Sequence, residues 1–315
     1  MAARYARGAP NFRKGKNTMI EKETFSLSER AILVDLRIGR WYARRKDDKV
    51  TAEVTKRHKT DKKAGNWRKH LLPFEAPTYE AILSHIDETR DFHRKNTLPW
   101  SDTGLRILPN ANYEHYTTGM REREHKFREL VDTFAPDLFR KGGLKDQARV
   151  KLNGMFRDDD YPRDEAELRS KFTFEIEPYP LPDTGDLRVK LTDTQVDAIK
   201  ARVESTIRNA SVGALTEGWN RLLFAVRHAG EIFANPSARV TRALFENLSD
   251  TCELLMRLNP TENANFESIA REVKDSIASL DRKVIRKDKD ARKAAAEQTA
   301  AIEKRMAGFM RGVTA

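Results

Sequence analysis

The alternation of apolar and polar residues predicts a strand close to the N-terminal end of the chain. Within residues 31–38 the larger aliphatic side chains on alternate positions are Ile32, Val34, Leu36 and Ile38. Asp35 and Arg37 lie between them. Because successive side chains of a strand point to opposite faces, this spacing predicts a strand with those four aliphatic residues on a core.

A second alternation, farther along the chain, indicates a hairpin. Phe172, Phe174 and Ile176 alternate with polar residues across 171–179, and the pattern returns across 187–191 after a turn containing Pro182 and Gly185. Together with the strand at 31–38, this predicts a small antiparallel sheet of about three strands.

Helical spacing of apolar residues predicts amphipathic helices over most of the remaining chain. The predicted helices are Pro77 to Lys95, Tyr113 to Phe134, Leu144 to Phe156, Thr192 to Asn235, Val240 to Leu258 and Phe266 to Leu280, with a weaker pattern over Val50 to His58. Pro136 is expected to separate two of these helices, and residues 97–110 to form a structured loop. The fold class is therefore α+β, with a mostly helical body and a small antiparallel sheet.

The charge of the chain is concentrated at its two ends. The formal net charge of the 315 residues is +11. Residues 1–70 contain 20 Lys and Arg against 8 Asp and Glu, and residues 281–315 contain 10 against 5. The expected organisation is a disordered basic arm at 1–22, a single domain at 23–280, and a charged helical extension at 281–315 with little to bury.

Several classes of protein are excluded or disfavoured by composition. The single cysteine, Cys252, excludes intramolecular disulfides and a cysteine-based zinc site, and its apolar neighbours predict a buried, inert thiol. No apolar run is long enough to span a membrane, and the N-terminus lacks the apolar core of a secretory signal. A soluble, cytoplasmic protein is expected, with no bound cofactor.

Motifs for catalysis do not occur in the sequence. It contains no P-loop, no glycine-rich dinucleotide fingerprint, no HExxH and no GxSxG. His85 and His93, eight residues apart, are expected on a helix surface. The acidic run at 158–160 suits either a hard cation or the start of the helix that follows. The absence of EF-hand spacing favours the helix start, so no metal is predicted. A binding protein is favoured over an enzyme.

The segment 31–70 is rich in cations interleaved with aromatic residues. This pattern is typical of proteins that bind single-stranded nucleic acid, where cations neutralise phosphates and aromatic rings stack on bases. The predicted binding residues are Arg37, Arg40, Trp41, Tyr42, Arg44, Arg45, Lys46, Lys56, Arg57, Lys59, Lys62, Lys63, Trp67, Arg68 and Lys69. A strand edge protected by charge is the alternative interpretation. Whether Trp41 and Trp67 stack on bases or belong to the core is left open.

Four stretches of the chain carry a resemblance to known proteins: LRIGRWYARRKDDKVTAEV, NTLPWSDTGLRILPNANY, KLNGMFRDDDYP and KFTFEIEPYPLPDTGDLRV. Over most of residues 31–280 the chain resembles a family of phage and prophage proteins of unknown function. It is also similar to the phage single-stranded-DNA-binding RNA polymerase cofactors. That similarity implies sequence-independent binding of single-stranded DNA, self-association into homo-oligomers and contact with a phage RNA polymerase in the host cytoplasm.

The leading hypothesis is a non-catalytic, single-stranded-DNA-binding protein of a phage that acts in transcription or replication. One alternative is a helical assembly or adaptor protein whose basic ends bind an acidic protein partner, such as an ATPase. Another is binding of double-stranded DNA through the basic arm alone.

Overall fold

The computed structural model describes residues 27–61, 63–100, 104–182 and 192–314. Its strands are β1 (Ala31–Gly39), β2 (Arg44–Lys46), β3 (Arg68–His70), β4 (Leu98–Pro99), β5 (Arg106–Pro109) and β6 (Thr173–Tyr179). Its helices are α1 (Asp48–His58), α2 (Pro77–Lys95), α3 (Tyr113–Phe139), α4 (Leu144–Leu152), α5 (Glu165–Ser170), α6 (Asp193–Ala234), α7 (Arg242–Arg257), α8 (Ala264–Val273), α9 (Arg282–Lys287) and α10 (Lys289–Thr314). The predicted α+β class with a mostly helical body is confirmed. Within the described ranges, no helix has both the length and the apolar character needed to cross a membrane.

The larger sheet has four strands in the order β4-β5-β1-β6. Strand β1 confirms the prediction for 31–38 and pairs antiparallel with β5, placing Ala31 opposite Pro109 and Val34 opposite Arg106. Strands β4 and β5 occupy the segment expected to be a loop. They have two and four residues, which is too short for a sequence alternation to be recognised. The predicted partner strand at 187–191 lies outside the described residues.

The side chains of β1 that are buried differ from those predicted. Ala31, Leu33 and Val34 are buried, whereas Ile32, Leu36 and Ile38 are only partly buried. Leu33 belongs to a core cluster that includes Leu98 and Ile107. Because both faces of β1 are covered at its start, the even-numbered positions do not form a single core face.

A single domain was expected over residues 23–280, and the chain is divided into two compact units. The helical unit comprises the described residues of 1–34, 96–113 and 178–315. The ribbon unit comprises the described residues of 35–95 and 114–177. Each has its own set of buried side chains.

The helical unit is built on α6, which begins as the sequence predicts. The N–H of Thr192 donates to Oε1 of Gln195 at 3.2 Å, as in a capping box. The segment 281–315 was expected to have little to bury, yet its helix α10 contributes Ile302 and Met306 to the core, 1% and 0% exposed. The few large apolar residues of this helix lie among many charged residues, so composition alone did not reveal its buried face.

The prediction for Cys252 is confirmed. Its side chain is fully buried in the core of the helical unit, and burial raises the pKa of the thiol to about 12. A thiol with so high a pKa carries almost no thiolate at neutral pH and is inert.

The ribbon unit has an aromatic core that corrects two predictions. Helix α3 continues through Pro136 to Phe139, because burial of Phe134 and Leu138 on either side of the proline outweighs the missing backbone donor. His93 is buried rather than exposed, and its Nδ1 lies 2.8 Å from the hydroxyl of Tyr116. The polar partner explains how a histidine is accommodated there.

Candidate nucleic-acid interface

The cation-rich segment folds into a two-stranded ribbon. Strands β2 and β3 pair antiparallel, with Arg44 opposite His70, Arg45 opposite Lys69 and Lys46 opposite Arg68. On one side of the alternation Ala43, Lys69 and Leu71 are buried. The other side, called here the outer face, carries the exposed residues Tyr42, Arg44, Lys46, Arg68 and His70 and the partly buried Arg40.

Lys69 anchors the ribbon from the buried side. Its side chain is 2% exposed, and its ammonium lies 2.6 Å from Oδ2 of Asp160 and 3.5 Å from Oδ2 of Asp47. It also donates to the carbonyl of Met155 at 2.6 Å. Lys69 was predicted to contact phosphates; this prediction is wrong, because strand alternation turns it away from Arg68 and into the core.

Asp47 joins this anchor to helix α1. Its carboxylate caps the helix by accepting from the N–H groups of Lys49 and Val50, each at 3.1 Å. The hydrogen bond from Val50 and the ammonium of Lys69 lower the pKa of Asp47 against the opposing effect of burial. One carboxylate therefore fixes both the ribbon and the start of α1.

Trp41 belongs to the core of the ribbon unit. It is 8% exposed, and its ring centroid lies 6.2–6.3 Å from those of Tyr79, Phe134 and Tyr161. Its carbonyl accepts from the hydroxyl of Tyr79 at 2.6 Å. The prediction that Trp41 stacks on bases is thus wrong, since a ring enclosed by three others has no free face.

Tyr42, which was predicted to stack on bases together with Trp41, is exposed. It is 69% exposed, and the guanidinium carbon of Arg40 lies 5.1 Å from its ring centroid. Trp67 is 36% exposed, with its backbone tied to the start of α1 through Thr51 and Asp47. Tyr42 is the more accessible ring for stacking, and Trp67 offers a partial face.

Ion pairing separates the predicted cations into two groups. Arg37 contacts Asp35 and Glu177 at 2.9 and 3.2 Å, and Arg45 lies 3.8 Å from Asp160. On the outer face Lys46 pairs with Asp48 at 2.8 Å. In the part of the chain that the structure describes, no carboxylate lies within 4 Å of the guanidinium groups of Arg40, Arg44 and Arg68.

The remaining predicted cations lie on or after helix α1. This helix buries none of its residues. Lys56 and Arg57 occupy its last turn, where the helix dipole favours positive charge, and Lys59 ends it with a left-handed backbone. Lys63 is exposed, and Lys62 lies outside the described residues. These cations are accessible to a ligand. The presence of Lys56 and Arg57 is also explained by their favourable interaction with the helix dipole.

Two clefts flank Tyr42 and share Arg40 and Arg44. The first, of about 330 Å³, is also lined by His70, Glu80 and the apolar residues Leu72 and Pro73. The second, of about 520 Å³, is also lined by Arg45, Lys171 and three carboxylates, those of Asp159, Asp160 and Glu167. Tyr42 therefore lines both a predominantly basic cleft and a mixed one.

The acidic run at 158–160 supplies counter-ions rather than a helix start. Asp158 contacts Lys145 at 3.2 Å and Arg149 at 3.0 Å, and these contacts lower the pKa of its carboxyl. Helix α5 is capped instead by Asp164, which accepts from the N–H of Glu167 at 2.7 Å. Among the described residues, no group of three or more His, Cys, Asp or Glu side chains is placed to hold a metal ion.

Sequence reasoning missed His70 and the partners of Lys69. The exposure of His70 could have been inferred from strand alternation, because neighbouring residues of a strand face opposite ways. His70 lies between Lys69 and Leu71, so it faces the same way as Tyr42 and Arg44. No local signal links Lys69 to Asp160, which lies far along the chain. In comparisons with protein-family models, with curated proteins and with solved structures, nothing matches this chain, so the resemblance to phage proteins stays a prediction.

Proposed function

We propose that this protein binds single-stranded DNA, without catalysis, through the outer face of its ribbon. The observation that carries the proposal is the cross-strand pairing of basic residues. Lys46 lies opposite Arg68, and Arg44 lies opposite His70. Like charges directly opposite each other destabilise an antiparallel pair. A polyanion bound across the ribbon would convert this repulsion into attraction.

The unpaired guanidinium groups support a phosphate ligand. Arg40, Arg44 and Arg68 have no carboxylate within 4 Å in the described parts of the chain. Guanidinium groups bind phosphate oxygens through two parallel hydrogen bonds. Three such groups on one face provide a short track for a nucleic-acid backbone.

The exposed ring of Tyr42 supports a single strand over a duplex. A base can stack on an aromatic side chain only when it has left its own stack, and such contacts are worth about 1–3 kcal/mol per base. Tyr42 stands among the phosphate-binding candidates rather than at a distance from them. Contact with a phage RNA polymerase and self-association, implied by the resemblance, belong to the same proposal.

The test is a fluorescence-anisotropy titration with labelled single-stranded and double-stranded DNA of unrelated sequences at several salt concentrations. Arg44→Gln with Arg68→Gln is expected to weaken single-strand binding and to reduce the slope of log K against log salt by about 1.4, or about 0.7 for each phosphate contact. Tyr42→Ala is expected to weaken binding by about 5–150-fold.

Matched controls lie in the helical unit. Arg242→Gln with Arg271→Gln removes the same charge from arginines that pair with Glu246 and Glu267. Phe224→Ala removes an aromatic ring that is 76% exposed. These variants are expected to bind as the unaltered protein does. Equal losses in test and control variants, or equal affinity for duplex and single strand, would overturn the proposal.

A further inference from the structure

We infer that the 330 Å³ cleft beside Tyr42 is a pocket for one unstacked guanine of the bound strand. The inference rests on the proposed function and adds a base preference at a single position. The volume lies at the lower end of the range for small-molecule pockets, which suits one nucleoside. Its lining includes the apolar side chains of Leu72, Pro73 and Leu83, which suit the flat face of a base.

Glu80 is the residue that points to a base rather than a phosphate. It lines a cleft whose other lining residues include the guanidinium groups of Arg40 and Arg44 and the imidazole of His70. Glu80 is exposed in the first turn of α2, and the described residues place no cation within 4 Å of its carboxylate. A free carboxylate repels phosphate, so a ligand that fills this cleft must offer it hydrogen-bond donors.

Guanine matches this arrangement better than the other bases. Its N1–H and N2–H₂ donors lie side by side and fit the two oxygens of one carboxylate. Cytosine and adenine offer one amino group next to a ring nitrogen that accepts, and thymine offers one N–H between two carbonyls. The O6 and N7 atoms of guanine accept hydrogen bonds, and arginine is their commonest specific partner. Arg40 and Arg44 supply that group at the same cleft.

The position of Tyr42 explains how the base would be presented. Tyr42 lines both the pocket and the second cleft, and its exposed ring is available to stack on the adjacent base. A strand that crosses Tyr42 would place one base on the ring and the next in the pocket. Binding would then tolerate most sequences and favour guanine at one position.

The experiment compares three single-stranded probes: an oligothymidylate of about twelve nucleotides with guanine, hypoxanthine or thymine at its centre. Hypoxanthine lacks only the N2 amino group of guanine. The guanine probe is expected to bind about fivefold or more tightly than either of the others. Glu80→Gln is expected to abolish this preference while retaining binding of the thymine probe. Glu75→Gln, which alters an exposed glutamate five residues earlier, is expected to keep it.

The outcomes separate this inference from the proposed function. Equal affinity for all three probes would overturn the guanine pocket and leave single-strand binding intact, whereas failure of all three to bind would overturn both. A preference that survives Glu80→Gln, or that Glu75→Gln also abolishes, would overturn the assignment to Glu80. Free GMP should compete only at far higher concentration than the guanine probe. Competition at equal concentration would overturn the assignment to a strand.

Discussion

Replacing Lys69 by methionine tests whether the ribbon is held by its buried ion pairs. Methionine keeps an unbranched apolar side chain of similar length, replaces one methylene by sulfur and removes the ammonium. Asp47 and Asp160 then face each other without the cation that lies 3.5 and 2.6 Å from their oxygens. Because the lysine side chain is 2% exposed, water cannot replace it without opening the structure. Removing one partner of a buried pair costs about 3–5 kcal/mol of the free energy of unfolding.

Hydrogen exchange measured on the ribbon is the direct assay. A loss of about 3–5 kcal/mol corresponds to a roughly 150- to 5,000-fold increase in the opening equilibrium of the amides that the ribbon protects. The N–H of Leu71, which donates to the carbonyl of Ala43 at 2.9 Å, is one such amide. Urea unfolding followed by circular dichroism would report the same loss on the global scale.

Lys46→Met is the matched control. Lys46 lies on the same ribbon and pairs with Asp48 at 2.8 Å, but its side chain is 49% exposed. An exposed pair of this kind is worth about 0–1 kcal/mol. The reasoning would be refuted if Lys69→Met and Lys46→Met destabilised the ribbon equally. Adding Asp160→Asn to Lys69→Met should recover part of the loss, because one of the two stranded charges is then removed.

Four further predictions concern single residues. Trp41→Ala should lower the free energy of unfolding by about 3–5 kcal/mol, whereas Tyr42→Ala should change it by less than about 1, as measured in urea. Ala43 has φ +39°, so Ala43→Val should destabilise the protein by at least about 1 kcal/mol, and Ala43→Gly should be tolerated, by the same assay. The pKa of Asp47 is lowered in the folded protein from its ordinary value of 3.8, so ionised Asp47 stabilises the fold at pH values above 3.8. This stabilisation is lost as the pH falls through the pKa of Asp47 in the folded protein. The urea midpoint should therefore drop more steeply below about pH 4 than in Asp47→Asn, and parallel curves would contradict this. Ile302→Ala should cost about 2–5 kcal/mol in thermal or urea unfolding of the helical unit, and a loss below about 0.5 would show that α10 does not belong to its core.

The sequence predicts the elements of this fold better than their faces. Helices such as α2 follow from long apolar periodicity, and β1 follows from alternation within nine residues. Which side of β1 is buried depends on β5, a four-residue strand whose own pattern is too short to recognise. The burial of Ile302 could not be predicted for a similar reason, since it depends on the long helix α6 that receives it.

At the candidate site, the sequence shows which residues are cationic or aromatic but not which way their side chains point. Of the predicted binding residues, Arg40, Tyr42, Arg44 and Arg68 are at least partly exposed. The sequence could not separate them from Trp41 and Lys69, because that separation requires knowing that the segment pairs as a ribbon with one side on a core. The register of two three-residue strands is set by the turn and by distant partners such as Asp160.

The ribbon must keep its two short strands paired while it carries several cations on its outer face, and the buried contacts of Lys69 stabilise that pairing. Two strands of three residues are marginal by themselves, and the like charges on the outer face weaken their pairing further. Trp41, Lys69 and Leu71 supply compensating contacts on the buried side, so that the ribbon can form although Arg44 and Arg68 on the outer face have no carboxylate partner within 4 Å among the described residues. A surface optimised for stability alone would place carboxylates opposite Arg44 and Arg68. The ribbon instead has carboxylates against Lys69 on its buried side and, among the described residues, none within 4 Å of Arg44 and Arg68, which is consistent with the anion-binding face proposed above.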